Sequence, residues 1–403
     1  MVRILQGTDQ LQRITMKRYI FSTLVCLMLL PAAASAQWYL FPGGRPAKDS
    51  TKVDTSELDF VPVRSDEEIA EELASIWTTH VALILPFKST ETPNSNFLDF
   101  YSGVLMAADG LSSEDRHFEI SVYDSTVGLP TSAELESSDL IIGPVSYDDI
   151  SRLLPRSRNK FIISPLDPKA SSLTGRHKVI QAPSGWESQI DDLVKWVSED
   201  LRGGDAVILL QSAEEGSGEM TLRLASKLGE AGVKYDISST PSAYEGVVKG
   251  TCRFLLVSEN DAFFGSCIRD IALMNLRGGR NAVYSTSRLR SVQDLEIESI
   301  HAAAAHVTAS YYADPKDAAV VRFSDSYRTL FKGDPGQWVY QGYDLMNYFG
   351  STLGRNSDEW LTELAATPGK GLQTDFRFDE SGKNNTAVRR LLYNTNNTIT
   401  TVR

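Results

Sequence analysis

The chain has 403 residues, of which 42% are hydrophobic and 23% charged, the composition of a globular protein with material for two or three domains and no shortage of core. Its formal charge is −12, and no dense run of Lys and Arg is visible. Nucleic acid and anionic membranes are therefore disfavoured as partners, because phosphates are held by clustered cations.

The first 36 residues stand apart. Lys17-Arg18 precede the apolar run Tyr19 to Leu30, and Pro31-Ala-Ala-Ala-Ser-Ala36 ends in a small-x-small pattern, the layout of a secretory signal peptide. Translation is expected to start at Met1 or Met16. Cys26 follows the bulky Val25 inside the apolar run and is not read as a lipid-attachment site. Cleavage after Ala36 removes four cations and one anion, Arg3, Arg13, Lys17, Arg18 and Asp9, and moves the formal charge from −12 to −15. No later stretch approaches the length of a membrane span, so no membrane insertion is expected after cleavage and the location is periplasmic or secreted.

Residues 37–64 are rich in Gly, Pro, Ser, Thr and Asp and read as a linker. Ser65-Asp-Glu-Glu68 is a capping box, and Ile69, Leu73, Ile76 and Trp77 follow with helical spacing. A short amphipathic helix over 66–77 is predicted, and residues 37–78 together form a leader to the folded region.

Val81-Ala-Leu-Ile-Leu-Pro-Phe87 is apolar without alternation, as in a parallel strand covered on both faces. Phe97, Phe100, Tyr101, Val104, Leu105, Ala108 and Leu111 make one helical stripe. Phe118 to Asp124, Asp139 to Pro144 and Lys160 to Asp167 are three further short strands. A second alternation follows. It comprises a helix from Trp186 to Leu201, a strand at Ala206–Ser212, a helix from Met220 to Ala231, and a strand at Val233–Ser238. Next come a strand at Cys252–Val257, a helix through Phe264 to Met274, and a strand at Ala282–Ser285. Neither half opens with G-x-G-x-x-G, so a dinucleotide site is not expected. The last third contains an extended stretch at Ala302–Tyr312, helices at Phe323–Phe331 and Val339–Leu353, a strand into a turn from Phe376 to Lys383, and a strand at Val388–Tyr393 before a polar tail. These elements suit completion of two sheets already begun. Cys252 opens a strand and Cys267 lies two turns into the returning helix, which leaves both a disulfide and two buried thiols open.

In this order, Val81–Phe87, Phe100-Tyr-Ser-Gly-Val-Leu-Met-Ala-Ala108, Asp139-Leu-Ile-Ile-Gly-Pro144, Phe161-Ile-Ile-Ser-Pro165, Gly342-Tyr-Asp344 and Phe376 to Gly382 resemble type 1 periplasmic-binding proteins. The likeness is to the leucine/isoleucine/valine receptor class over roughly 79–395, and within it to a secreted, receptor-like bacterial branch whose cell-wall-binding repeats are not visible here. The resemblance implies an α/β fold of two Rossmann-like lobes with parallel sheets. Three crossovers join them, expected near Gln181–Ser184, His301–Thr308 and Leu372–Phe378. Lobe 1 would comprise 79–181 plus 308–372 and lobe 2 would comprise 182–301 plus 373–403.

A small polar ligand would lie between the lobes, where loops at the carboxyl ends of parallel strands converge. Those loops offer Phe87, Val145, Ser146, Leu166 and Asp167 from the first lobe and Gln211, Ser212, Glu214, Ser258, Glu259, Tyr284 and Ser285 from the second. The resemblance places a ligand-binding hydroxyl at Ser146, which is equally placed to cap a helix. Asp167-Pro168 stands where amino-acid receptors offer small residues and a second hydroxyl. A carboxylate there repels a carboxylate ligand, so Asp167, Glu214 and Glu259 suit a cationic or hydroxylated one. Asp167 is also a turn former. Histidines at 80, 117, 177, 301 and 306 lack metal-ligand spacing, no G-x-S-x-G is present, and Ser157-Arg-Asn-Lys160 matches S-x-x-K without its partners. No enzyme activity, metal or cofactor is expected. Two roles remain. One is a solute receptor, of the kind that supplies an ABC-type transporter. The other is a cell-envelope interaction protein with the same fold, like the activators of peptidoglycan synthases.

Overall fold

The computed structural model describes residues 77–113, 115–213, 218–354 and 359–402. The expected signal peptide and linker, the expected helix over 66–77 up to Ile76, and Glu214 lie outside the described residues. Trp77, expected at the end of that helix, instead opens β1 (Trp77–Leu85), where the Arg116 guanidinium lies 4.0 Å from its ring centre.

β1 is followed by α1 (Ser95–Leu111), β2 (Arg116–Asp124), β3 (Leu140–Ile142), α2 (Tyr147–Leu153), β4 (Ile162–Ser164), α3 (Ser171–Thr174) and β5 (Val179–Gln181). The five strands form one parallel sheet in the order β2-β1-β3-β4-β5. β1 lacks alternation because both of its faces are buried. Val81, Leu83 and Leu85 enter a core with Phe100 and Val104 of α1, whereas Ala82 and Ile84 enter another with Ile150 and Leu153 of α2.

The chain passes to the second lobe between Gln181 and α4 (Trp186–Asp200). It continues through β6 (Ala206–Leu210), α5 (Glu219–Glu230), β7 (Asp236–Ser238), β8 (Cys252–Leu255), α6 (Asp261–Leu276), β9 (Asn281–Thr286), α7 (Ile297–Ala302) and β10 (Ala305–Ala309). Cys252 and Cys267 are both buried as free thiols in the core between this sheet and α6. The disulfide alternative is thereby removed, and burial pushes the Cys267 thiol up to about 12.

The last third crosses back. α8 (Ala318–Phe331), α9 (Gln337–Thr352) and α10 (Trp360–Ala366) add to the first lobe, with the small hairpin β11 (Gly369–Lys370) and β12 (Asp375–Phe376). β13 (Arg389–Tyr393) and β14 (Ile399–Val402) then complete the second sheet, ordered β14-β13-β10-β9-β8-β6-β7. Its β6 to β10 are parallel, and β13 and β14 are antiparallel additions at one edge.

Two expected lobe boundaries and one expected element need correction. Thr308 lies in β10, paired with β9 and β13, so the second crossing follows Ala309. Phe376 and Phe378 belong to the first core, with the Phe376 ring stacked 4.2 Å from Tyr348, so the third crossing falls between Phe378 and Arg389. The polar tail after Tyr393 is a strand, because a turn at Asn394–Thr398 brings Thr400–Val402 back onto β13.

α9 reaches the first lobe by lying backbone to backbone on α1. A Cβ on Gly103 would sit 2.0 Å from the Val339 carbonyl oxygen, and one on Gly342 would sit 2.0 Å from that of Phe100. Gly342→Ala is therefore expected to lower stability by about 3 kcal/mol, as overpacking of a tight contact does. Gly110→Ala, on the same α1 with nothing within 4 Å, should be neutral or slightly stabilising. Urea unfolding of both variants checks the pair, and equal midpoints would refute the close crossing.

Candidate functional site

In the first lobe the expected loop residues are placed by a backbone turn and by their own side-chain bonds to nearby backbone N–H groups. Gly143, with φ +89°, turns the chain after β3, and its missing Cβ admits the Ile84 carbonyl. The following Ser146 caps α2, its Oγ accepting the Asp149 N–H at 3.1 Å. Asp167 Oδ2 accepts the Tyr147 N–H at 2.8 Å, and its Oδ1 accepts the Lys169 N–H at 2.9 Å. Ser146 and Asp167 are thus brought to one rim, with both Asp167 oxygens engaged in tying two loops together. Phe87 is buried in the first core, with its N–H donating to Asp124 Oδ1 at 3.0 Å, and Val145 and Leu166 are partly buried against that core.

In the second lobe, Gln211 follows β6, its N–H bonded to the Ser238 carbonyl at 3.0 Å, and Ser212 is buried beside it. Ser258 is buried and accepts the Asn260 N–H at 3.1 Å, which sets Asn260 to cap α6. Glu259 is exposed. Tyr284 and Ser285 are not brought to the cleft, because β9 runs on to Thr286. Ser285 Oγ donates to the Leu256 carbonyl at 2.6 Å. The fully buried Tyr284 donates its hydroxyl to Asp200 at 2.6 Å, accepts from Arg253 at 2.6 Å, and stacks on His306 at 4.4 Å. Burial and the bond to Asp200 push the Tyr284 hydroxyl far above its ordinary range, and burial holds the His306 ring below its usual value.

An open cavity of about 540 Å³ does lie at the carboxyl end of the second sheet, facing the crossovers. Of the described sequence candidates only Glu259 lines it. Its other polar walls include Glu219, Arg288, Arg290, Tyr311 and Gln337, and Trp186 and Met220 supply an apolar side. Arg288 and Arg290 lie on the turn Ser287–Ser291, which Thr286 caps. Arg288 is held by Asp261 and by the Glu259 carbonyl at 3.0 Å. Arg290 donates to the Tyr311 carbonyl at 2.9 Å and stands 5.3 Å from that ring. Gln337 brings the first lobe to the cavity at the start of α9. Ending β9 at Thr286 rather than Ser285 would have brought the Arg-x-Arg turn into view from sequence; nothing local marks Tyr311 or Gln337.

The sequence reading missed the polar bonds that hold the crossovers and the first-lobe turn at Leu372–Thr374, whose Gln373 carbonyl accepts the Tyr312 N–H of the second crossing at 2.8 Å. Asp344, 1% exposed on α9, accepts the N–H groups of Leu372, Gln373 and Thr374 at 2.6, 2.8 and 2.8 Å. Arg389 at the start of β13 pairs with Asp375 at 2.6 Å and donates to the carbonyls of Gly371 at 2.8 Å, Leu372 at 2.9 Å and Tyr312. Asn385 Nδ2 joins the first and third crossings through the Ala182 and Asp375 carbonyls at 2.7 and 2.8 Å.

Among the described residues no cluster of His, Cys, Asp or Glu is placed to hold a metal, and no helix is long and apolar enough to cross a membrane. The S-x-x-K pair diverges. Ser157 Oγ donates to the Leu154 carbonyl, whereas Lys160 Nζ reaches the carbonyls of Glu136 and Ser138.

No protein-family model matches the chain, and no curated protein matches it. Solved structures do. A protein from Rhodospirillum rubrum described as a branched-chain amino acid ABC transporter superposes with a TM-score of 0.58 at 14% identity, over 81% of this chain and 100% of that one. The chain has the type 1 periplasmic-binding fold. An ABC transporter substrate-binding protein from Desulfitobacterium hafniense shares the fold, with a TM-score of 0.53 at 12% identity over 81% of this chain and all of that one. So does the C-domain of LpoA from Haemophilus influenzae, a regulator of PBP1A, with a TM-score of 0.50 at 13% identity and the same coverage. Identities this low establish the architecture and leave the ligand or partner to the site itself.

Burial outweighs the three N–H bonds and pushes the Asp344 carboxyl up to about 6. Its unfolded value is about 3.9, so the native state binds the extra proton between these values. The stability this confers is full below about pH 4 and is lost as pH rises through 6, about 3 kcal/mol in all. From pH 4 to pH 7 the unfolding free energy of the wild type should therefore fall by that amount relative to Asp344→Asn, measured by urea denaturation of both. A pH-independent difference would show that the carboxyl does not titrate there.

Proposed function

We propose that the protein is a secreted or periplasmic binding protein that closes its lobes around a small polar ligand, and that it delivers this ligand to an ABC-type transporter. The observation that carries this reading is the 540 Å³ cavity between the second sheet and the crossovers, within the size range of small-molecule sites. Guanidinium groups at Arg288 and Arg290 and carboxylates at Glu219 and Glu259 share its wall, which suits a ligand bearing both an acidic and a basic or hydroxylated group. Closure by hinge motion would bring the Ser146–Asp167 rim over it.

The structure's own hydrogen bonding favours a second reading. Ser146 and Asp167 are satisfied within the first lobe, so that lobe offers little to grip a ligand, and a cell-envelope interaction protein of the LpoA kind would need no such grip.

Native mass spectrometry of protein purified without refolding, followed by thermal-shift screening of amino acids, polyamines, sugars and muropeptides, separates the two. The receptor reading expects a bound adduct and, at a ligand concentration about 100-fold above Kd, stabilisation of about 2.7 kcal/mol. Arg290→Ala should weaken that ligand about tenfold or more. No adduct and no shift in any class, together with cross-linking to an envelope protein, would replace the receptor reading with the second.

A further inference from the structure

A second open cavity, of about 490 Å³, lies in the first lobe away from the interlobe cleft. It sits at the amino ends of β4 and β5, the edge of the sheet opposite the one that faces the crossover cavity. Its charged lining is entirely basic: Arg176, Lys178 and Lys383, with His177 between the first two. Arg176 is exposed and Lys178 half-buried, with the Lys178 ammonium 4.9 Å from the Phe161 ring centre. Neither pairs with a carboxylate among the described residues. Lys383 arrives from the third crossing, its carbonyl accepting the Gln181 N–H at 2.7 Å. Its ammonium donates to the carbonyls of Thr174 at 3.0 Å and His177 at 3.2 Å, at the C-terminal end of α3.

The surroundings reinforce the charge. From Ser151 to Lys178 the chain carries seven Arg and Lys and one carboxylate, Asp167, in a protein whose formal charge is −12. Some of these cations are compensated, Arg152 by Asp149 and Arg158 by Glu136 at 2.7 Å. Those lining the cavity pair with no carboxylate among the described residues. Read along the chain they form no dense run, since they are spread over two turns and a segment much later in the sequence; the fold gathers them. Bringing like charges together around a concave surface costs energy unless an anion neutralises them, and such a surface concentrates the field on whatever enters.

We infer that this cavity binds a phosphate group, whose several acceptor oxygens and double charge match the cations of Arg176, Lys178 and Lys383 that line it. This site is independent of the interlobe cleft and of the ligand proposed there.

Titration calorimetry of the protein, as its producing cell processes it, with inorganic phosphate tests the assignment. Saturable 1:1 binding that weakens with salt is expected. The Kd should rise about tenfold or more in Arg176→Ala and in Lys178→Ala and stay unchanged in Arg290→Ala at the other cavity. Both side chains reach solvent, so folding should survive the changes, which circular dichroism checks. A sedimentation arm with phosphatidylglycerol vesicles against phosphatidylcholine vesicles separates the sources. Retention on the anionic vesicles alone, lost in the double variant, identifies a lipid headgroup, and phosphate binding without retention identifies a soluble phosphate; either result upholds the site. No saturable phosphate binding at millimolar concentration, or binding indifferent to both substitutions, overturns it.

Discussion

The contact between α1 and α9 organises the molecule. Two glycines, Gly103 and Gly342, let the helices approach until each glycine faces the other helix's carbonyl oxygens, a distance that no side chain allows. This approach draws the last third of the chain back onto the first lobe after it has built β10 in the second. It also sets the face of α9 that carries Gln341 and Asp344 toward the returning segment. Gln341 Oε1 accepts from Gln373 and Thr374 at 2.9 and 3.1 Å, alongside the three N–H groups held by Asp344. The crossovers thus inherit their position from a helix crossing some distance away, and the cavity beside them inherits its Gln337 wall.

The two lobes divide the work unequally. The first spends the polar groups at its strand ends on itself, with Ser146 and Asp167 satisfying helix and turn N–H groups. The second leaves guanidinium and carboxylate groups around an open volume at its strand ends. The open volume accordingly lies on the second lobe, and Arg389 of β13 holds the first lobe's turn at Gly371, Leu372 and Asp375 to the second sheet.

Much of this was legible in the sequence. Val81–Leu85 announced a doubly covered strand because both faces of it are apolar, and the stripe on α1 and the alternation of strands and helices followed from the same burial. The boundaries were less legible where polar residues continue a strand. Tyr284 and Ser285, read both as a strand end and as ligand-facing loop, are inner positions of a strand that runs on to Thr286, and their hydroxyls find a carboxylate and a carbonyl in the folded lobe. Ile399–Val402 escaped notice for a related reason: it is a short, partly exposed edge strand, too polar to stand out from the tail around it.

By itself the sequence determined the α/β class, the two lobes and the edge of the sheets where the loops after the strands gather, because these depend on local periodicity and on the geometry of parallel strands. Only the tertiary structure decided which side chains line the open volumes. Arg290, Tyr311 and Gln337 come from three separate segments, as Lys383 comes to its neighbouring cations from far along the chain, and their meeting depends on long-range packing that no local pattern records.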